Sequence, residues 1–166
     1  MSSALLPEEI ESLARRVVEE NRAANRKVVL AESCTGGLVA AALTEIPGSS
    51  AVLDRGFVTY SNEAKMELLD VSQDIIETFG AVSIACVWAM AEGALAHSDA
   101  DVAVAISGVA GPGGGTPTKP VGTVVFARAF RGDEREPEGE LKAFGDLGRA
   151  EIRRQATLCA LELLLP

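Results

Sequence analysis

Aromatic side chains are scarce in this 166-residue chain, at 4% against 48% hydrophobic residues overall. A core built almost without them must rely on Ala, Val, Leu and Ile, which suit helices laid closely on a sheet. Histidine occurs once, as His97 beside Ser98 and Asp99 at the end of an Ala-rich run, so a histidine-based triad is nearly excluded and a surface or capping role fits better. The three cysteines, Cys34, Cys86 and Cys159, are odd in number and widely spaced. They indicate neither a disulfide framework nor a zinc ligand set, and so a reducing, cytoplasmic setting. No stretch approaches the roughly 18 apolar residues of a membrane span. The opening MSSALLPEEIESL lacks the basic flank and apolar run of a signal peptide. Basic residues are in deficit too, 15 against 24 acidic, for a net charge of −9. That charge repels a phosphate backbone, and no Lys/Arg stripe interleaved with aromatics reverses it locally, so nucleic acid is not an expected partner. A small anion bound by backbone amides and one or two local cations remains compatible.

What is present reads as one α/β domain over residues 1–166, long enough to bury about 70% of the surface its unfolded chain exposes. From Pro7, Ile10, Leu13, Val17 and Val18 form one apolar stripe of a helix ending near Asn25. Val28–Ala31 is a short apolar strand, and residues 32–37 turn it into a helix from Leu38 to Ile46, stopped by Pro47-Gly48. Val52–Tyr60 reads as a second strand, followed by helical composition from Asn62 to Leu69. Ser72 can cap a helix closed by Gly80, and Ser83 opens a long Ala-rich helix to His97. Val102–Ile106 is a buried strand, and a loop from Ser107 to Gly122 with six glycines and three prolines leads to a strand at Thr123–Phe130. The acidic stretch Asp133–Glu140 reads as a solvated hairpin tip before a last strand near Leu141–Phe144, and a closing helix runs from Arg149 to Leu165. Strands alternating with helices and finished by a hairpin predict a three-layer α/β/α sandwich on a mixed, mostly parallel sheet.

Three segments could carry chemistry. In Ala-Glu-Ser-Cys-Thr-Gly-Gly, Ser33, Cys34 and Thr35 stand at a strand-to-helix turn, where free amides can hold an anion or oxyanion. The same pattern suits plain capping by Ser33 or Thr35, with Gly36 and Gly37 as tight-turn residues. The loop through Gly108, Gly111, Gly113 and Gly114 exposes amides with no side chain in the way, fitting a close-lying phosphate or ring, or a flexible connection. Its spacing matches neither a Walker loop nor a dinucleotide fingerprint. Tyr60-Ser61-Asn62-Glu63-Ala64-Lys65 joins the second strand to its helix, where a lysine is ordinarily solvated. A serine nucleophile without histidine needs another base, and lysine is the known substitute. A free lysine leaves on the order of one molecule in 2,500 neutral at pH 7, so activating Lys65 requires its pKa to drop by roughly 3 units, which burial beside a second cation could supply.

Taken together, AESCTGG, PGSS, TYSNEAK, GAVS, SGVAGPGGGTPTKPVGTV and R-x-x-I-R-R-Q-A resemble, in the same order, the C-terminal domain of competence/damage-inducible CinA proteins. That domain also occurs alone as a nicotinamide-nucleotide amidohydrolase. The resemblance covers nearly the whole chain and implies a five-stranded mixed sheet and a homodimer. It also implies conversion of nicotinamide mononucleotide to nicotinate mononucleotide and ammonia in pyridine-nucleotide salvage, with no cofactor or metal. By motif position Ser33 matches the family's nucleophile, Lys65 its base and Tyr60 a pocket residue, while Arg149 matches the arginine heading the last helix. Ser107 stands where the family has threonine, keeping the hydroxyl and losing a methyl. Phe144-Gly145-Asp146-Leu147-Gly148-Arg149 departs from the usual Phe-x-Gly-Asp-Arg.

The expected chemistry has neutral Lys65 taking the Ser33 proton during attack on the carboxamide, with helix-start amides holding the oxyanion. Arg149 and the Gly111–Gly115 amides would hold phosphate and ribose. Cys34 is the rival nucleophile. Two other classes compete: a catalytically silent nucleotide-binding or regulatory domain, and a competence or DNA-damage interaction protein. The acidic charge argues against direct DNA contact for the latter.

Overall fold

The computed structural model describes residues 3–132 and 136–166. Its strands are β1 (Val28–Glu32), β2 (Leu53–Val58), β3 (Val102–Gly108), β4 (Thr123–Phe130) and β5 (Glu138–Ala143). The helices are α1 (Glu8–Ala23), α2 (Leu38–Thr44), α3 (Asn62–Leu69), α4 (Gln73–Phe79), α5 (Ile84–Ala96) and α6 (Arg149–Leu163). The sheet runs β2-β1-β3-β4-β5. β1 pairs in parallel with β2 and β3, and β4 pairs antiparallel with β3 and β5, so β4 alone opposes the other four. This is the mixed, mostly parallel sheet that the alternating elements predict.

Alternation along the buried strands sorts the core into two layers. Val28, Leu30, Val102, Val104, Ile106, Val124 and Phe126 face α1, α2 and α6. The intervening residues, Val29, Ala31, Ala103, Ala105, Val125, Ala127 and Ala129, face α5. Because that second face is mostly alanine, α5 can lie close on β1, β3 and β4. Its own Cys86, Val87, Met90, Ala91, Ala94 and Leu95 are buried there. Helix starts obey local chemistry: the Ser61, Ser72 and Ser83 hydroxyls accept from the amides of Ala64, Ile75 and Cys86, capping α3, α4 and α5. His97 is the C-cap residue of α5 and its Nε2 lies 2.6 Å from Asp70 Oδ2. Among the described residues no helix is long and apolar enough to cross a membrane.

Several expected boundaries are corrected: α2 ends at Thr44 and not Ile46, and β3 runs on through Ser107 and Gly108, which pair with Val125 and Val124. β5 begins at Glu138, inside the stretch read as a solvated tip. Glu138, Gly139 and Glu140 pair with Arg128, Ala127 and Phe126, and the Glu138 carboxylate meets Arg128 at 2.6 Å. Cross-strand pairing, rather than apolar alternation, makes this edge strand. Asp133, Glu134 and Arg135 of that tip lie outside the described residues. β2 ends at Val58 rather than Tyr60, because the carbonyls of Thr59 and Tyr60 turn out of the ladder to accept from Lys65.

Candidate active site

The strand order reverses around β1. The crossover through α2 carries the chain to β2 on one side, and the helices α3 to α5 return it to β3 on the other. In open α/β sheets the crevice outside the carboxyl ends at such a reversal is where ligands bind. Here a cavity of about 170 Å³ lies at that point, lined by Ser33, Cys34, Tyr60, Asn62, Lys65, Ala81, Val82, Ser107, Gly108, Ala110 and Arg149.

Ser33 follows β1 directly and Lys65 stands one turn into α3. The Lys65 Nζ donates to Ser33 Oγ at 3.1 Å, to Thr59 O at 2.9 Å and to Tyr60 O at 3.2 Å. Lys65 is 1% exposed and Ser33 7%. Burial lowers the Lys65 pKa from the ordinary lysine value, partly offset by the neighbouring Cys86 and Cys34 thiols; no neighbouring cation is among the causes of the shift. The three contacts have a direct chemical meaning. A neutral amine carries two hydrogens, and two carbonyls, which can only accept, take both. In that neutral form the contact with Ser33 reverses direction, and the nitrogen lone pair accepts from the Ser33 hydroxyl.

Cys34 occupies the adjacent wall, but burial pushes its thiol up to about 11. It is therefore a protonated thiol at neutral pH, and the rival to Ser33 loses its main advantage.

Ser107 closes the opposite side from the end of β3, 2% exposed and in register with Val125. At the rim, Arg149 on the first turn of α6 donates to Gly111 O at 2.6 Å and to the Tyr60 hydroxyl at 3.2 Å. This bridge ties the β2–α3 connection to the glycine loop. Gly111 has φ +79°, and a Cβ there would fall 2.6 Å from Val121 Cγ1, so only glycine fits. Ser33, Lys65, Ser107, Tyr60, Gly108 and Arg149 thus meet at one cavity, whereas Gly36, Gly37, Gly111, Gly113 and Gly114 lie outside its lining. Thr35 lies beneath it, fully buried, its hydroxyl donating to Glu32 Oε1 at 2.7 Å.

Glu32 was not singled out from sequence, and it changes one expectation. Its carboxylate, 1% exposed, also accepts from the amides of Val39 at 3.0 Å and Ala40 at 3.1 Å. The amides at the start of α2 are therefore committed to Glu32, and an oxyanion cannot use them. Among the turn residues, Gly36 and Leu38 donate internally to Ser33 O and Thr35 O, and Ser33 donates to Ile106 O, while the amides of Cys34, Thr35 and Gly37 have no backbone acceptor among the described residues. Of these three, the Cys34 amide directly follows the nucleophile candidate. Arg153 was also missed as a contributor; its signal was the i, i+4 spacing from Arg149, which puts both on one face of α6. Among the described residues no cluster of three or more His, Cys, Asp or Glu is disposed to hold a metal ion.

The family model for the CinA C-terminal domain matches residues 10–166. The chain belongs to the CinA C-terminal domain family. Within that family it is 55% identical over 127 residues to a CinA-like protein of Akkermansia muciniphila, covering 76% of this chain and 31% of that one. It thus spans about a third of the CinA-like relatives' length. Two stand-alone relatives are matched over most of their length. Each is named nicotinamide-nucleotide amidohydrolase PncC: that of Escherichia coli is 49% identical, covering 94% of this chain and 93% of its own. That of Enterobacter agglomerans is 53% identical, covering 83% and 82%. The crystal structure of competence/damage inducible protein CihA from Agrobacterium tumefaciens superposes with a TM-score of 0.93 at 51% identity, covering 99% of this chain and 97% of that one.

Proposed function

We propose that this chain hydrolyses the carboxamide of a nicotinamide nucleotide, nicotinamide mononucleotide foremost, to the nicotinate nucleotide and ammonia. The observation that carries this reading is a buried lysine amine 3.1 Å from a serine hydroxyl on the wall of a cavity at the reversal point of the sheet. The amidohydrolase names of the two full-length relatives support the same bond class.

Neutral Lys65 accepts the Ser33 proton as Oγ attacks the carboxamide carbon. The negative charge gathers on the carboxamide oxygen, and the Cys34 amide, next to the nucleophile, is its donor. Lys65 returns the proton to the departing nitrogen as the C–N bond breaks, releasing ammonia and leaving a Ser33 ester. Water, deprotonated by the same amine, attacks the ester, and nicotinate nucleotide leaves with Ser33 restored. Ser107, across the cavity, has a hydroxyl suited to the carboxamide or the attacking water. A volume of about 170 Å³ is below that of pockets enclosing a whole drug-sized ligand and suits a single ring. Ribose and phosphate then extend past the rim toward Arg149, Tyr60 and the exposed Gly113-Gly114 turn. We take the enzyme to work as a homodimer in a reducing cytosol, within pyridine-nucleotide salvage and without a cofactor.

Ammonia release from the mononucleotide, the dinucleotide and free nicotinamide, with calorimetry on each, tests the reading. Turnover should be best with the mononucleotide and poor with free nicotinamide, which has no phosphate for the rim. Heat of binding without ammonia from any of the three would overturn the enzyme reading in favour of a nucleotide-binding domain.

A further inference from the structure

The turn that presents Ser33 contains Gly36 and Gly37 at φ +60° and +100°, so the backbone next to the nucleophile is built from its least constrained residues. Two side chains hold it. From inside, Glu32 takes the Thr35 hydroxyl and the first amides of α2. From α6, Arg153 donates through Nε to Cys34 O at 3.1 Å and through Nη2 to Thr35 O at 3.3 Å. The guanidinium fork thereby fixes two successive peptide planes, because each trans peptide is rigid and turns as a unit with its carbonyl. The preceding plane is fixed by Gly36 N donating to Ser33 O at 3.0 Å. A second observation points the same way. A Cβ at Gly36 would lie 3.3 Å from Arg153 Nη2, so a side chain there would press on the fork. Arg153 lines neither the cavity nor its rim, and the acid nearest it in sequence, Glu151, is engaged with Arg154 at 3.7 Å.

We propose that Arg153 is a positioning residue for the hydrolysis: by clamping the Cys34 and Thr35 carbonyls it fixes the peptide whose Gly36 N–H grips Ser33 O, and through that bond it holds the Ser33–Cys34 peptide, with the Ser33 hydroxyl against Lys65 and the Cys34 amide toward the developing oxyanion. This rests on the amidohydrolase reading above. Arg153 touches no reacting atom, so it acts on the reaction step and leaves ground-state affinity for the nucleotide alone. Loss of a clamp that allows displacement of about 1 Å at the reacting atoms costs on the order of 100-fold in rate.

The test uses the full chain with Arg153→Met and Arg153→Lys, against mononucleotide hydrolysis and against pyridine-3-boronic acid, whose boron takes the Ser33 oxygen to form a tetrahedral anion. Arg153→Met should lower kcat about 10- to 100-fold with KM changed less than about threefold. Boronate affinity should fall in parallel, and added guanidinium should restore part of the kcat. Arg153→Lys, with one ammonium in place of a fork, should fall between. A folded Arg153→Met protein with wild-type kcat, or with its whole loss in KM, would overturn the proposal. So would unfolding of both variants, because Arg153 would then hold the fold and not the turn. If the wild-type chain binds boronate yet releases no ammonia, the substrate reading fails, and the boronate comparison still decides the role of Arg153.

Discussion

Replacing Lys65 with methionine removes the amine and keeps most of the side-chain volume in a site that is 1% exposed. In the wild-type protein Nζ stands 3.1 Å from Ser33 Oγ, inside the range for direct proton transfer. The other titratable residues in the cavity wall offer no substitute. Cys34 is protonated, Arg149 cannot accept a proton, and the Tyr60 hydroxyl is bound by Arg149 on a residue that is 62% exposed. The variant should therefore lose a general base outright, about 10²- to 10⁴-fold in kcat/KM. The pH profile supplies the second half of the prediction. Activity in the wild type should rise with pH as Lys65 deprotonates and level off below the ordinary lysine value of 10.5, because burial lowers its pKa. Stability must track the same titration. Between the lowered native pKa and the unfolded value of about 10.4, the unfolded chain binds a proton at Lys65 that the native state does not, so Lys65 contributes a rise of stability with pH across that window, set against the opposite contribution of the Cys34 thiol, whose native pKa is raised. Lys65→Met should lack that rise. Denaturant melts read the stability and a coupled ammonia assay reads the rate. A folded Lys65→Met enzyme keeping a tenth or more of wild-type kcat/KM, or a wild-type profile with no break below pH 10.5, would refute the reasoning.

Cys34→Ala should keep activity within a few-fold, because a thiol pushed up to about 11 is ionised in only about one molecule in 10,000 at pH 7; steady-state kinetics of the folded variant check this. Glu32→Gln leaves one acceptor oxygen where three donors converge and turns an NH₂ toward an amide or hydroxyl donor. It should destabilise the fold by about 1–3 kcal/mol, read by denaturant titration, and lower kcat by loosening the Ser33 turn. Gly93→Ala places a Cβ 1.9 Å from Leu69 O where α5 meets the end of α3, and overpacking of this kind should cost about 2 kcal/mol or more, a fall in Tm of roughly 4–8 °C in a calorimetric scan.

The layers were legible in the sequence because their cause is local. Short β-branched apolar runs at 28–31, 102–106 and 123–130 read as buried strands, and the serines at 72 and 83 cap the helices that begin one residue later. β5 was misplaced because nothing in Glu138-Gly139-Glu140 alternates. It is a strand through its pairing with β4, and Gly139 is required there because a Cβ would come within 2.5 Å of Trp88 Nε1. The Ser33–Lys65 pair was readable as chemistry, since a lone histidine left lysine as the available base, and through the family motifs. Its geometry was not, because it depends on the carbonyls of Thr59 and Tyr60, just past the end of β2, receiving the amine. Glu32 escaped notice because its work is done on residues three to eight positions later. Arg153 escaped because its partners lie 118 and 119 positions away.

Ser33→Ala is the most direct test of the central claim. This change deletes one oxygen from a small side chain and disturbs little packing. Ammonia release from nicotinamide mononucleotide should fall to background, a loss of at least about 10⁴-fold, while calorimetry still registers nucleotide binding and Tm stays near wild type. Ammonia release at an undiminished rate from the folded variant would contradict it.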